Sequence, residues 1–153
     1  MTFSDIGLHA AILRALTDAG YSEPTEVQRQ AIPAAIEGRD LLVCSQTGSG
    51  KTAAFMLPAL HRLAGQELPP APRFVAGNDR RAPSSRGRPR FELARPKMLV
   101  LTPTRELALQ VTAASDKYGR HLHRLRTVAI LGGMPYARQM ELLSRQPEIL
   151  VAT

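Results

Sequence analysis

The stretch Leu41-Leu42-Val43-Cys44-Ser45-Gln46-Thr47-Gly48-Ser49-Gly50-Lys51-Thr52 decides how the rest of the chain is read. Its four apolar residues, 41–44, predict a short buried strand, and the following polar, glycine-containing turn delivers Lys51 and Thr52 to the start of a helix reaching about Ala64. Strand, loop and helix in that order form a cradle for a polyphosphate. Gly48 and Gly50 permit backbone geometry that turns successive N–H groups inward. Lys51 is then placed to meet the outer phosphates and the Thr52 hydroxyl to ligate magnesium, while the helix N-terminus adds favourable field. The full phosphate-loop pattern has glycine at position 45, and this chain has Ser45. The competing reading is an ordinary Gly/Ser turn entering a helix, and the preceding apolar run and the Lys51-Thr52 pair argue against it.

Before this stretch, Leu8, Ile12, Leu13, Leu16 and Ala19 recur at helical spacing and Gly20 is suited to end that helix. Thr25-x-x-Gln28 is a capping-box pattern opening a second helix, with Val27, Ala31 and Ile32 as its apolar positions. Pro33 either closes that helix or opens another over 34–37. After the loop, Phe55, Leu57, Leu60 and Leu63 outweigh Pro58, where a bend or early break is expected.

Beyond 65–96, strands are predicted at 98–101, 126–131 and from 149, with helices at 105–117 and 135–145; Leu107, Val111 and Ala114 are expected to face the sheet. Alternating strands and helices predict an α/β fold with a mainly parallel sheet flanked by helices. Residues 1–38 form a helical segment, and residues 39–153 a nucleotide-binding lobe whose sheet looks incomplete at its C-terminal end.

The chain has 153 residues, enough for one domain with a core, and a formal net charge of +7. That charge is concentrated in residues 68–97, where eight basic residues face only Asp79 and Glu92, leaving the remainder nearly neutral. Residues 65–96 also hold six prolines and no hydrophobic periodicity, and read as a flexible basic insertion. Two explanations stay open: a tolerated surface loop, or an electrostatic tether for nucleic acid. A lone cysteine, Cys44, excludes an internal disulfide, fits a reducing, cytoplasmic setting, and is expected to be a small core residue. No run approaches the roughly eighteen apolar residues of a membrane span, and the N-terminus lacks a secretory pattern.

Four separated blocks make the chain resemble the N-terminal RecA-like lobe of a DEAD-box ATP-dependent RNA helicase, a P-loop NTPase domain, most like bacterial members. Gly20-Tyr21-Ser22-Glu23-Pro24-Thr25-Glu26-Val27-Gln28, with Phe3 upstream, is similar to the family's glutamine motif. Residues 45–52 are similar to its phosphate loop, where Ser45 stands in place of the usual alanine. Pro103-Thr104-Arg105-Glu106-Leu107-Ala108 and Gly132-Gly133 match two further motifs.

The resemblance implies adenine recognition by Gln28, with Phe3 stacking on the base and Tyr21 beside it; on the residues alone, Gln28 is a capping-box residue and Phe3 a hydrophobic anchor. It further implies that Ser45, Gln46, Thr47, Gly48, Ser49, Gly50, Lys51 and Thr52 hold ATP with Mg2+. Lys51 and Thr52 are the catalytic candidates and Thr52 the metal ligand. Pro103, Thr104, Arg105, Gly132 and Gly133 are implied to contact the RNA backbone without reading bases. The family's acidic metal-binding motif, its coupling motif and its second lobe lie outside this sequence. The implied activity, ATP-driven RNA remodelling by local duplex destabilisation, therefore attaches to a parent protein, with partial ATP and RNA contacts expected here. RNA, the second lobe and protein cofactors or ribonucleoprotein complexes are the implied partners. The alternatives are a non-helicase nucleotide switch and a non-catalytic RNA-binding module.

Overall fold

The computed structural model describes residues 2–66 and 94–153. The basic insertion predicted at 65–96 therefore falls almost wholly outside the described residues.

A 3-10 turn (Ser4–Ile6) leads into α1 (Ala10–Asp18), α2 (Glu26–Ile36) and α3 (Lys51–Ala64). Then β1 (Met98–Leu101), α4 (Arg105–Tyr118), β2 (Thr127–Ile130), α5 (Tyr136–Ser144) and β3 (Ile149–Ala152) alternate, as the hydrophobic pattern requires. All pairings are parallel, in the order β1-β3-β2, with Met98 and Thr127 both opposite Ile149. Because the strands are parallel, the residues that follow β1, β2 and β3 emerge at one end of the sheet. Pro103-Thr104-Arg105, Gly132-Gly133 and Thr153 are thereby gathered there.

Ile12, Leu16, Ile32, Met56, Leu57, Leu60, Ile149 and Val151 are almost fully buried and join one core. The α2 helix runs unbroken through Pro33, and α3 runs through the buried Pro58. Each proline removes one backbone donor, but the packed faces of these helices outweigh that local loss. In α4 the buried positions are Ala108, Val111, Ser115 and Tyr118, a helical i, i+3, i+7, i+10 row. Leu107 lies off that row and is exposed, contrary to the expectation that it faces the sheet.

The predicted first strand is the main difference. Residues 41–44 form no strand, Leu42 is 95% exposed, and Cys44 is exposed rather than in the core. An extended segment becomes a strand only when a neighbour takes its N–H and C=O groups. Here a cavity of about 510 Å3 lies between Leu41 and Val43 on one side and Val100 and Leu101 on the other. Phe55 and Leu107 line it too. Among the described residues β1 pairs only with β3, so its outer edge is open on this slot.

The start of β2 is locked to that of β3 by a buried ion pair. Glu148, 2% exposed, accepts from Arg126 N at 2.8 Å, Nε at 3.2 Å and Nη2 at 2.6 Å. The Glu148 carbonyl also accepts from Lys97 N and Met98 N, so one residue ties all three strands at their N-terminal ends.

Candidate nucleotide and nucleic-acid site

The loop 45–50 is drawn closed by its own polar groups. Lys51 Nζ donates to the carbonyls of Ser45 and Gln46, both at 2.6 Å, and the Ser45 and Ser49 hydroxyls are 2.7 Å apart. An ammonium held by two carbonyls in the mouth of the loop is a cation whose partners an incoming phosphate can replace. Gly48 and Gly50 have φ of +79° and +93°, which glycine adopts without the penalty of a Cβ. A Cβ on Gly48 would meet nothing within 4 Å, whereas one on Gly50 would lie 2.3 Å from Gln28 Nε2.

That contact locates Gln28. It is 6% exposed, its Oε1 accepts from Thr25 N at 3.0 Å, and its Nε2 donates to the Gly50 carbonyl at 3.1 Å. Thr25 Oγ1 donates to the Ser49 carbonyl at 2.8 Å. The capping box expected at Thr25 and Gln28 is formed, and the same two side chains also fasten α2 to the phosphate loop. Sequence reading treated the box as local and missed this second use of Thr25. No local pattern signals it, because Thr25 and the Ser49 carbonyl are 24 positions apart.

Phe3 is 4% exposed and belongs to the core, but it also borders a cavity of about 400 Å3 together with Gly20, Tyr21 and Ser22. Tyr21 is 40% exposed, and its hydroxyl accepts from Lys117 Nζ at 3.1 Å. The Lys117 hydrogen bond, followed by one with Tyr118, lowers the Tyr21 pKa below its ordinary value. Burial, reinforced by the bond with Tyr21, pushes the Tyr118 phenol up to about 12. A further cavity of about 610 Å3 runs beside the loop between α2 and residues 41–45, with Thr25, Gln30 and Ser49 in its wall.

At the strand ends, Thr104 caps α4 by accepting from Leu107 N at 3.2 Å, and the exposed Arg105 follows it. Gly132 N donates to Thr153 Oγ1 at 2.9 Å, and Gly133 has φ of +78°. Pro103, Thr104, Arg105, Gly132 and Gly133 are all exposed. Lys51 and Thr52 share the slot lining with Val100, Leu101 and Thr102, so the phosphate loop opens towards the same end of the sheet. Thr52 is half-buried there. No group of three or more His, Cys, Asp or Glu side chains among the described residues is placed to hold a metal.

Fold and site together define a lobe of the RecA-like, phosphate-loop class. The DEAD/DEAH box helicase family matches residues 25–153, and the chain belongs to that family. It is 41% identical over 152 residues to the ATP-dependent RNA helicase DeaD of Klebsiella pneumoniae, covering 99% of this chain and 20% of that protein. The ATP-dependent RNA helicase SrmB of Escherichia coli K12 is 40% identical, with 99% of this chain and 29% of that protein covered. Among solved structures, a hypothetical ATP-dependent RNA helicase from Sulfolobus tokodaii aligns with a TM-score of 0.69 at 32% identity, over 95% of this chain and 34% of that one. The chain thus spans a fifth to a third of the relatives it matches. No helix among the described residues is long and apolar enough to cross a membrane.

Proposed function

We propose that this chain supplies the ATP-holding surface, and part of the RNA-facing surface, of an ATP-dependent RNA helicase. The observation that carries the reading is the Lys51 ammonium seated on the Ser45 and Gln46 carbonyls, in a loop braced from outside by Thr25 and Gln28. In this reading the backbone N–H groups of 46–52 receive the polyphosphate and Lys51 exchanges its carbonyl partners for the outer phosphates. Ser45 and Ser49 close the loop flank with their hydroxyl pair.

Gln28 recognises the adenine edge with its amide, which requires at least one of its present bonds to be shared or exchanged. Phe3 and Tyr21 flank the base at the small cavity they border. Magnesium, when bound with ATP, neutralises phosphate charge, and the Thr52 hydroxyl would be its ligand from the loop. A lone hydroxyl fits one position of an octahedral ion, so the remaining ligands come from phosphate, water and the rest of the parent. Hydrolysis by the isolated chain is accordingly expected to be negligible.

Arg105 and the exposed Gly132-Gly133 turn contact sugar-phosphate backbone, which positions an RNA strand without reading its sequence. Joined to a second lobe and protein cofactors, these contacts would bend one strand and release its partner, with ATP turnover resetting the lobes. The test is ATP-dependent strand separation by the full-length protein and its Lys51→Ala variant. The variant is expected to lose strand separation, and equal rates would refute the proposal.

A further inference from the structure

Lys117 occupies the last turn of α4, far in sequence from the glutamine motif, yet its ammonium lies 4.6 Å from the centroid of the Tyr21 ring. Its Nζ also donates to the Tyr21 hydroxyl at 3.1 Å. The neighbouring Tyr118, buried against the core, tilts its ring at 57° to that of Tyr21 with centroids 6.0 Å apart. One turn of α4 thus grips a single aromatic side chain with a cation, a hydrogen bond and a ring contact.

Tyr21 begins a segment whose side chains at 21–23 are otherwise exposed. The segment is fixed at its far end by Thr25 and Gln28, which bond the phosphate-loop carbonyls. At its near end, Tyr21 N donates to the Leu16 carbonyl at 2.9 Å, and the ring itself is held by α4. Removing the α4 grip frees the Tyr21 ring, while the backbone bond to Leu16 and the far end stay in place. The base side of the site then loosens while the phosphate side keeps its shape.

We infer that Lys117 is a positioning residue for base recognition: by holding the Tyr21 ring it fixes how residues 20–28 approach adenine. This rests on the ATP reading above and adds a residue that lies outside all four family motifs. The competing role for Lys117 is a generic cation at a helix C-terminus, where it complements the helix dipole. Such a role has no effect that distinguishes a base from a bare polyphosphate.

The test uses the full-length protein and measures, in magnesium, the affinities for ATP and for inorganic tripolyphosphate, with the thermal midpoint alongside. Lys117→Met retains the apolar stem and removes the cation. It is expected to weaken ATP about two- to fivefold, the range of an exposed cation–π contact, and to leave tripolyphosphate unchanged. Lys117→Arg keeps a cation over the ring and restores ATP affinity. Adding Lys117→Met to Tyr21→Leu should weaken ATP no further than Tyr21→Leu alone, since both remove one contact. Lys51→Ala is the control that weakens both ligands. If it does so while Lys117→Met binds ATP as the parent sequence does, or weakens both ligands equally, the inference is wrong. If Lys51→Ala changes neither ligand, the ATP reading itself fails, and this inference with it.

Discussion

Replacing Gly50 by alanine should damage the loop in a way that replacing Gly48 does not, and the difference measures the brace between α2 and the phosphate loop. Both glycines have positive φ, so either alanine carries a left-handed strain of about 1–2 kcal/mol. A Cβ at Gly48 meets open space and nothing more follows. A Cβ at Gly50 would sit 2.3 Å from Gln28 Nε2, too close for that amide to stay, and 3.1 Å from Thr25 Oγ1, which has to give by only a few tenths of an ångström.

Expelling the Gln28 amide breaks its bonds to Thr25 N and to the Gly50 carbonyl, at about 1 kcal/mol net each and somewhat more where the partners stay dry. The expected totals are about 1–2 kcal/mol for Gly48→Ala and about 3–5 kcal/mol for Gly50→Ala. Urea unfolding at fixed protein concentration reads the difference directly as a midpoint shift. Gln28→Ala alone removes the same two bonds, so Gly50→Ala with Gln28→Ala should cost little more than Gly50→Ala alone. A Gly50→Ala penalty no larger than that of Gly48→Ala, or strict additivity with Gln28→Ala, would refute the reasoning.

Three further outcomes follow from the same structure. Glu148→Ala leaves the largely buried Arg126 guanidinium and the Arg126 N–H without their acceptor and should destabilise by about 2–4 kcal/mol, whereas Glu148→Gln, which retains an oxygen acceptor, should cost less; equal urea midpoints for the two variants would contradict the ion-pair account. His121 holds the Asp18 carboxyl below its ordinary 3.8, so this pair stabilises fully above that value and its contribution is lost as pH falls through the lower folded value. Asp18→Asn should therefore flatten the loss of thermal midpoint as pH falls below about 4, and an unchanged acid limb would dismiss the linkage. The open edge of β1, where Leu99 and Leu101 are 58% and 73% exposed, should make the 153-residue chain self-associate with rising concentration. Leu101→Lys should shift it towards monomer in sedimentation velocity, and identical profiles would rule that edge out.

The parallel α/β pattern was legible because β1, β2 and β3 each combine an apolar run with a short polar exit, and α4 and α5 carry helical periodicity between them. Residues 41–44 have an equally good local pattern and still form no strand, because pairing is a property of the neighbour and β1 faces a slot at that point. Pro33 misled for the opposite reason: it violates a local rule, yet the helix around it is held by a buried face that no single position reveals, whereas α3 runs past Pro58 as its apolar positions implied.

At the site, Gly48, Gly50, Lys51 and the capping box could be read from spacing alone. The bonds from Thr25 and Gln28 into the loop, and the Lys117 grip on Tyr21, join residues that are 22 to 96 positions apart. Neither leaves a periodic trace. Leu107 shows the same limit on a smaller scale, since one residue of phase along α4 separates the buried row from the slot.

The central claim is that the turn before α3 holds the polyphosphate of ATP through Lys51. Calorimetric titration of the full-length protein with magnesium-ATP, beside its Lys51→Ala variant checked for equal thermal stability, tests it most directly. Saturable binding by the parent sequence that falls at least tenfold in the variant is the predicted result. Equal affinities in the two proteins, or no heat of binding in either while a control ATP-binding protein responds, would contradict it.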